Sequence, residues 1–153
     1  MEDTHISFEW TQDYDKVTKI LTHPRLYDWL TDDTAPTRDS FRAFEGFYYV
    51  LAEHYGDTVG VFVIAPQSSV CWQVHTALLP YAWGSLAVEI YKEGIQWVFA
   101  NSECRKVVGN IRANNKLAIR LAERGGLTRI GINEKCVMKN GKLRDQVIMG
   151  ICK

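Results

Sequence analysis

Val74-His75-Thr76-Ala77-Leu78-Leu79-Pro80 runs into Tyr81-Ala82-Trp83-Gly84-Ser85-Leu86-Ala87, and further on comes Asn115-Lys116-Leu117-Ala118-Ile119-Arg120-Leu121-Ala122-Glu123-Arg124-Gly125-Gly126-Leu127. Residues 74–127 read as a strand, a tight glycine-containing loop, a helix, a second strand, and a helix opened by Asn and closed by Gly. That order sets a helix N-terminus beside two strands. Backbone N–H groups converging there favour a phosphate or pyrophosphate, through hydrogen bonding and through the helix dipole. An ordinary turn uses a single glycine just as readily, so Gly84 alone does not decide the chemistry.

Upstream, Ile6-Ser7-Phe8-Glu9-Trp10 alternates like a half-buried strand, and Tyr14, Val17, Ile20 and Leu21 then fall at helical spacing. His23-Pro24 ends that helix, Arg25 to Leu30 make a second short one, and Thr31 to Thr37 form a polar loop. Phe47–Glu53 and Thr58–Ala65 flank Tyr55-Gly56-Asp57 as a β-hairpin, and Val70–Leu78 continues the meander. After the loop, Leu86, Ala87, Ile90, Tyr91, Ile95, Val98 and Phe99 supply the core side of a long helix interrupted by Gly94. Lys106–Ile111 is a short strand. Leu127–Met138 and Leu143–Ile151 flank Asn140-Gly141, a strong hairpin signal.

The 153 residues, 46% of them apolar, suit one domain over 1–153 that buries roughly 70% of its unfolded surface. Eighteen basic and eighteen acidic residues cancel, which argues against diffuse nucleic-acid binding. Met1-Glu2-Asp3-Thr4-His5 lacks the basic and apolar regions of a signal peptide, and no run approaches the ~20 apolar residues of a membrane helix, so a cytoplasmic protein without membrane attachment is expected. Cys71, Cys104, Cys136 and Cys152 are scattered without a C-x-x-C pair and read as free, mostly buried thiols, with no metal site. Cys71 falls near the proposed site.

The loop and the second helix together resemble the signature of the GNAT superfamily, the acetyl-CoA-dependent N-acetyltransferases. Its central motif is Arg or Gln, two residues, Gly, one residue, then Gly or Ala. Gly84 matches, while Tyr81 stands at the Arg/Gln position and Leu86 at the small-residue position. Asn115, Ala118, Ile119, Leu121, Glu123 and Gly126 match the family's Asn-x-x-Ala-Ile-x-Leu-Tyr-Glu-Lys-x-Gly-Phe, and Arg124 keeps the positive charge. The resemblance spans about residues 6 to 152. It implies an α+β fold with a mixed, mostly antiparallel sheet flanked by helices and splayed central strands. His75 to Pro80, Gln96-Trp97-Val98-Phe99 and the C-terminal hairpin also look like phage-borne acetyltransferase-like proteins, some of which carry a head-assembly label.

By that resemblance, acetyl-CoA lies in the splay. Its pantetheine arm pairs with backbone around Ala77, Leu78 and Leu79 as an added strand would, and its pyrophosphate meets N–H groups of Trp83, Gly84, Ser85 and Leu86. Tyr81 lacks the charge of Arg, a loss on the order of 1–2 kcal/mol in cofactor binding. Asn115 either contacts the cofactor or caps its helix. The family's acidic Tyr is replaced by Ala122, and Val70–Gln73 holds no carboxylate base. His75, on one face with Cys71, Gln73 and Ala77, is the substitute base by its ordinary pKa, or else a hydrogen-bonded structural histidine. Asp32, Asp33, Asp39 and Glu45 lie in the segment that walls the acceptor site, where they receive an amine cation or form a solvated loop. The implied partners are acetyl-CoA, an amine acceptor, a second copy paired through sheet edges, and a phage or host protein. The competing reading is a catalytically silent fold kept for interaction or assembly.

Overall fold

In a computed structural model that describes residues 3–153, the chain forms one seven-stranded sheet with helices on both faces. Met1 and Glu2 of the N-terminal stretch lie outside the described residues. The strands are β1 (Ile6–Thr11), β2 (Tyr48–His54), β3 (Asp57–Pro66), β4 (Cys71–Leu78), β5 (Lys106–Arg112), β6 (Thr128–Lys139) and β7 (Lys142–Cys152), and the helices are α1 (Tyr14–Leu21), α2 (Tyr27–Leu30), α3 (Ser85–Ala100) and α4 (Lys116–Arg124). Their order across the sheet is β1-β2-β3-β4-β5-β7-β6, and only β4 and β5 run parallel.

Consecutive residues of β2 and β3 are buried on opposite faces, as in a strand covered on both sides. On one face Val50, Phe62, Ile64 and Val74 pack under α3 and α4; on the other Leu51, Val61 and Ala77 pack under Val17, Ile20 and Leu21 of α1. The Asp13 side chain accepts the Lys16 N–H at 3.1 Å and starts α1 as an N-cap.

Gly94 does not interrupt α3, which runs unbroken to Ala100. A Cβ there would sit 1.9 Å from Phe62 Cε2, so the missing side chain is what lets the helix lie on the sheet. The second helix is also shorter than the sequence suggests, because Arg25 and Leu26 remain in the turn before it.

The sheet splits at its centre. Pairing between β4 and β5 covers Cys71↔Lys106, Trp72↔Val107 and Gln73↔Val108 and then stops, while β4 continues to Leu78 and β5 to Arg112. Asn140 and Gly141 join β6 to β7 with φ of 53° and 74°, the left-handed pair that a tight hairpin turn needs. The Asp33 carboxylate accepts both N–H groups of that turn at 2.8 Å and ties the polar loop after α2 to the hairpin tip.

Candidate active site

The split leaves backbone groups without sheet partners. Leu79 N–H donates to Val59 C=O at 2.8 Å, and Gly60 lies opposite Leu78. Alternation along an antiparallel ladder then directs the backbone groups of Gln73, His75, Ala77 and Leu79 to β3 and those of Val74, Thr76 and Leu78 into the gap. Of Ala77, Leu78 and Leu79, only Leu78 therefore turns its backbone to the gap. Its carbonyl accepts the Trp83 indole N–H at 2.8 Å, and Arg25 lies 4.5 Å from that indole ring.

Beyond β4, Pro80–Ala82 form a single 3-10 turn closed by Trp83 N–H donating to Pro80 C=O at 3.1 Å. Gly84 follows at φ 98° and ψ −142°, a conformation that side chains other than hydrogen rarely adopt, and α3 begins at Ser85 with no side-chain cap. The first-turn N–H groups, Ser85 and Leu86 among them, thus have no intrahelical acceptor and point out of the helix end. A Cβ on Gly84 would meet nothing within 4 Å, so the space before the helix is open. Tyr81 is turned away to solvent, its hydroxyl 3.3 Å from His54 Nδ1, and brings no cation here.

A cleft of about 200 Å³ runs through the gap. Thr76, Tyr91, Ala118 and Leu121 line it on the α3 and α4 side; His75, Asn110, Arg112, Trp29 and Asp32 line it on the α2 side. His75 Nε2 lies 3.0 Å from Gln73 Nε2. An amide nitrogen can only donate, so this contact leaves His75 Nε2 as the acceptor and puts the ring proton on Nδ1. Burial pushes the His75 pKa below its ordinary 6.5, which keeps the ring neutral at pH 7.

Asn115 caps α4, its Oδ1 accepting Ala118 N–H at 3.2 Å, and also lines the cleft. Asp32 reaches the cleft wall with one carboxylate oxygen engaged by Thr34 N–H at 2.9 Å and Thr34 O–H at 2.6 Å, bonds that hold its pKa below the usual range. Asp33, spent on Gly141 and Asn140, is not brought to the cleft, nor are Asp39 and Glu45. All four cysteines are free but not mostly buried: Cys104 is buried, Cys136 and Cys152 on the C-terminal hairpin are exposed, and Cys71, half-buried, lies at the paired end of β4, outside the cleft lining. Among the described residues no group of three His, Cys, Asp or Glu side chains is placed to hold a metal ion, and no helix is long and apolar enough to cross a membrane.

Three lining residues escape a reading of the sequence. Tyr91 is nearly buried, and burial raises its phenol pKa well above 10, so the hydroxyl stays protonated. Its signal was position, seven residues past Gly84 and two turns up the helix. Thr76 Oγ1 is buried with no hydrogen-bond partner in the chain, an unusual expense for a hydroxyl that faces no ligand. Arg112 ends β5 beyond the expected strand and is only 9% exposed.

A family model described as Acetyltransferase (GNAT) domain matches residues 2–128. The chain belongs to the GNAT acetyltransferase family. Its fold superposes on spermidine N-acetyltransferase from Vibrio cholerae in complex with CoA and spermine, with a TM-score of 0.79 at 12% identity over 98% of this chain and 96% of that one. A GNAT-family acetyltransferase from Bacillus anthracis gives 0.76 at 14% identity over 99% and 96%. Ribosomal-protein-S5-alanine acetyltransferase from Vibrio fischeri gives 0.73 at 12% identity over 99% and 95%. These likenesses concern the fold. No curated protein matches the chain by sequence.

Proposed function

We propose that the chain is a single-domain, cytoplasmic N-acetyltransferase that moves the acetyl group of acetyl-CoA to an amine by direct attack. The observation that carries this reading is the cleft through the split sheet, with unpaired backbone and an orphaned Thr76 hydroxyl on one side and a neutral His75 on the other. The residues fit an acyl-CoA. Thr76 and Leu78 offer backbone groups to the amides of the pantetheine arm, and the open end of α3 at Gly84, Ser85 and Leu86 offers N–H groups to a pyrophosphate.

Acetyl-CoA supplies an activated thioester. The amine nitrogen bonds to its carbonyl carbon, the carbon–sulfur bond breaks, and the proton lost by the amine is balanced by one gained at sulfur. His75 Nε2 accepts the amine's proton once substrate displaces the Gln73 amide. Tyr91 donates a hydrogen bond on the sulfur side, where Ala122 offers nothing. The Trp83 indole, which donates to the Leu78 carbonyl, competes there with the pantetheine arm.

That same indole favours a second reading, a silent fold of a phage-borne branch that meets a phage or host protein or a second copy. The exposed β6 edge, with Ile130 and Ile132 on its surface, is where such a contact would form. Calorimetric titration with acetyl-CoA separates the two. The enzyme reading expects micromolar binding that Gly84→Glu abolishes, by setting a carboxylate in the open space before α3. Absence of heat and of thermal stabilisation at millimolar acetyl-CoA supports the silent fold.

A further inference from the structure

Arg112 stands out on the α2 side of the cleft. Among the described residues it makes one hydrogen bond, from Nη2 to the Asp28 carbonyl, and its guanidinium lies 5.0 Å from the centre of the Trp29 ring. No carboxylate comes within 4.0 Å of it among the described residues. A guanidinium carries five donors in a planar fork and keeps its charge at any ordinary pH. Here a side chain nine-tenths buried leaves most of that fork unspent, in the wall of the cleft that also holds His75.

The charged groups near it do not satisfy it. The Asp28 and Asp32 carboxylates favour its charge through space but neither pairs with it: Asp28 accepts from it only through its backbone oxygen, Asp32 is bonded to Thr34, and Arg144 opposes with a second positive charge. Trp29 offers a π-face, which offsets part of the cost of burying a cation and pairs no N–H. An oxyanion entering from the α2 side would take up the free fork in the bidentate geometry that guanidinium favours. A polycation entering there would instead meet that buried positive charge, beside an Asp32 carboxylate already engaged by Thr34 through one oxygen.

We infer that Arg112 selects the acceptor: the substrate is an amino-acid-type amine whose own carboxylate pairs with the Arg112 guanidinium while its amino group faces His75. This rests on the acetyltransferase reading above. Lys139 and the other cations of the β6–β7 hairpin are outside this wall, and Arg112 is the cation that lines the cleft itself.

The test measures acetyl transfer from acetyl-CoA, with the acetylated product identified by mass, for the L-amino acids, their carboxamides and spermidine. The best amino acid is expected to exceed its carboxamide by about tenfold or more in kcat/KM, because the amide leaves the buried cation unpaired. Arg112→Gln should erase that ratio chiefly through KM, and Arg112→Lys should keep part of it. Without turnover, the N-acetyl amino acid should raise the melting temperature of the wild type and leave that of Arg112→Gln unchanged. The wild-type acid-to-amide ratio stands even if a variant misfolds on losing the Asp28 clasp. Equal or faster reaction of carboxamides or spermidine, or a ratio that persists in Arg112→Gln, would overturn the inference and leave the acetyltransferase reading intact. A wild type that ignores acetyl-CoA would overturn both.

Discussion

On the α3 side of the split the groups left open to a ligand are mostly backbone: the N–H groups that open α3, and the strand groups of Thr76 and Leu78. On the α2 side they are side chains that come from distant parts of the chain: His75 from β4, Arg112 from β5, and Trp29 and Asp32 from α2 and the loop after it. A backbone site can be built by any residues that hold the right path, so Tyr81 and Leu86 can replace the family's usual residues without changing where the N–H groups point. A side-chain site depends on identity. On the acetyltransferase reading proposed above, the first side would set the kind of donor substrate and the second which acceptor is taken.

The comparison breaks most visibly where the backbone path itself is held. Gly94→Val would place a branched side chain into Phe62, already 1.9 Å from an ideal Cβ, and the ring is fully buried with no room to retreat. Overpacking of that kind should cost about 3 kcal/mol, read as a lower urea midpoint at unchanged slope. If α3 is the platform for the donor side, the folded fraction should also lose acetyl-CoA affinity while the α2 side keeps its contacts. A variant as stable as the wild type would show that α3 does not depend on this close approach.

The regular elements were legible because their signals are local. The Asn140-Gly141 turn, the amphipathic α1 and the Asn115 cap each announce themselves within a few residues. The mostly antiparallel order followed from the hairpins and from the family motif at Gly84 and Asn115. The α2 side was not legible in that way. Nothing around Arg112 in the chain says that β5 will end beside Trp29, and Asp33 looks like a ligand for a cation until the hairpin turn is seen to claim both its oxygens. The face of His75, which lines the cleft, was legible because strand alternation fixes it. Gln73 falls on that face too, but the hydrogen bond between its amide and the His75 ring depends on side-chain geometry.

Asn115 sits on the boundary between the two kinds of site, since it caps α4 and lines the cleft. Asn115→Ala should cost about 1 kcal/mol through loss of the cap, and Asn115→Asp should recover most of it. Acetyl-CoA titration of the same pair sharpens the distinction. Binding that tracks stability in both variants assigns Asn115 to the fold. Binding lost in Asn115→Asp at restored stability assigns the amide to the ligand.

The smallest effect expected is on the side-chain half, in the pH response of His75. Its folded pKa lies below 6.5, so the unfolded chain binds a proton more readily than the folded one. Above pH 6.5 both states hold the ring neutral and this group adds no pH dependence. As the pH falls below 6.5 the unfolded state is favoured progressively, and the loss levels off once the folded ring also protonates. His75→Asn should therefore flatten the acid side of a stability profile taken by urea denaturation, with little change near neutrality. In catalysis the same shift moves the acid limb of kcat/KM below 6.5, where the neutral ring can still accept a proton from the amine. A limb at or above 6.5 in the wild type would mean that His75 is more open to water than its burial indicates, and that some other group deprotonates the acceptor.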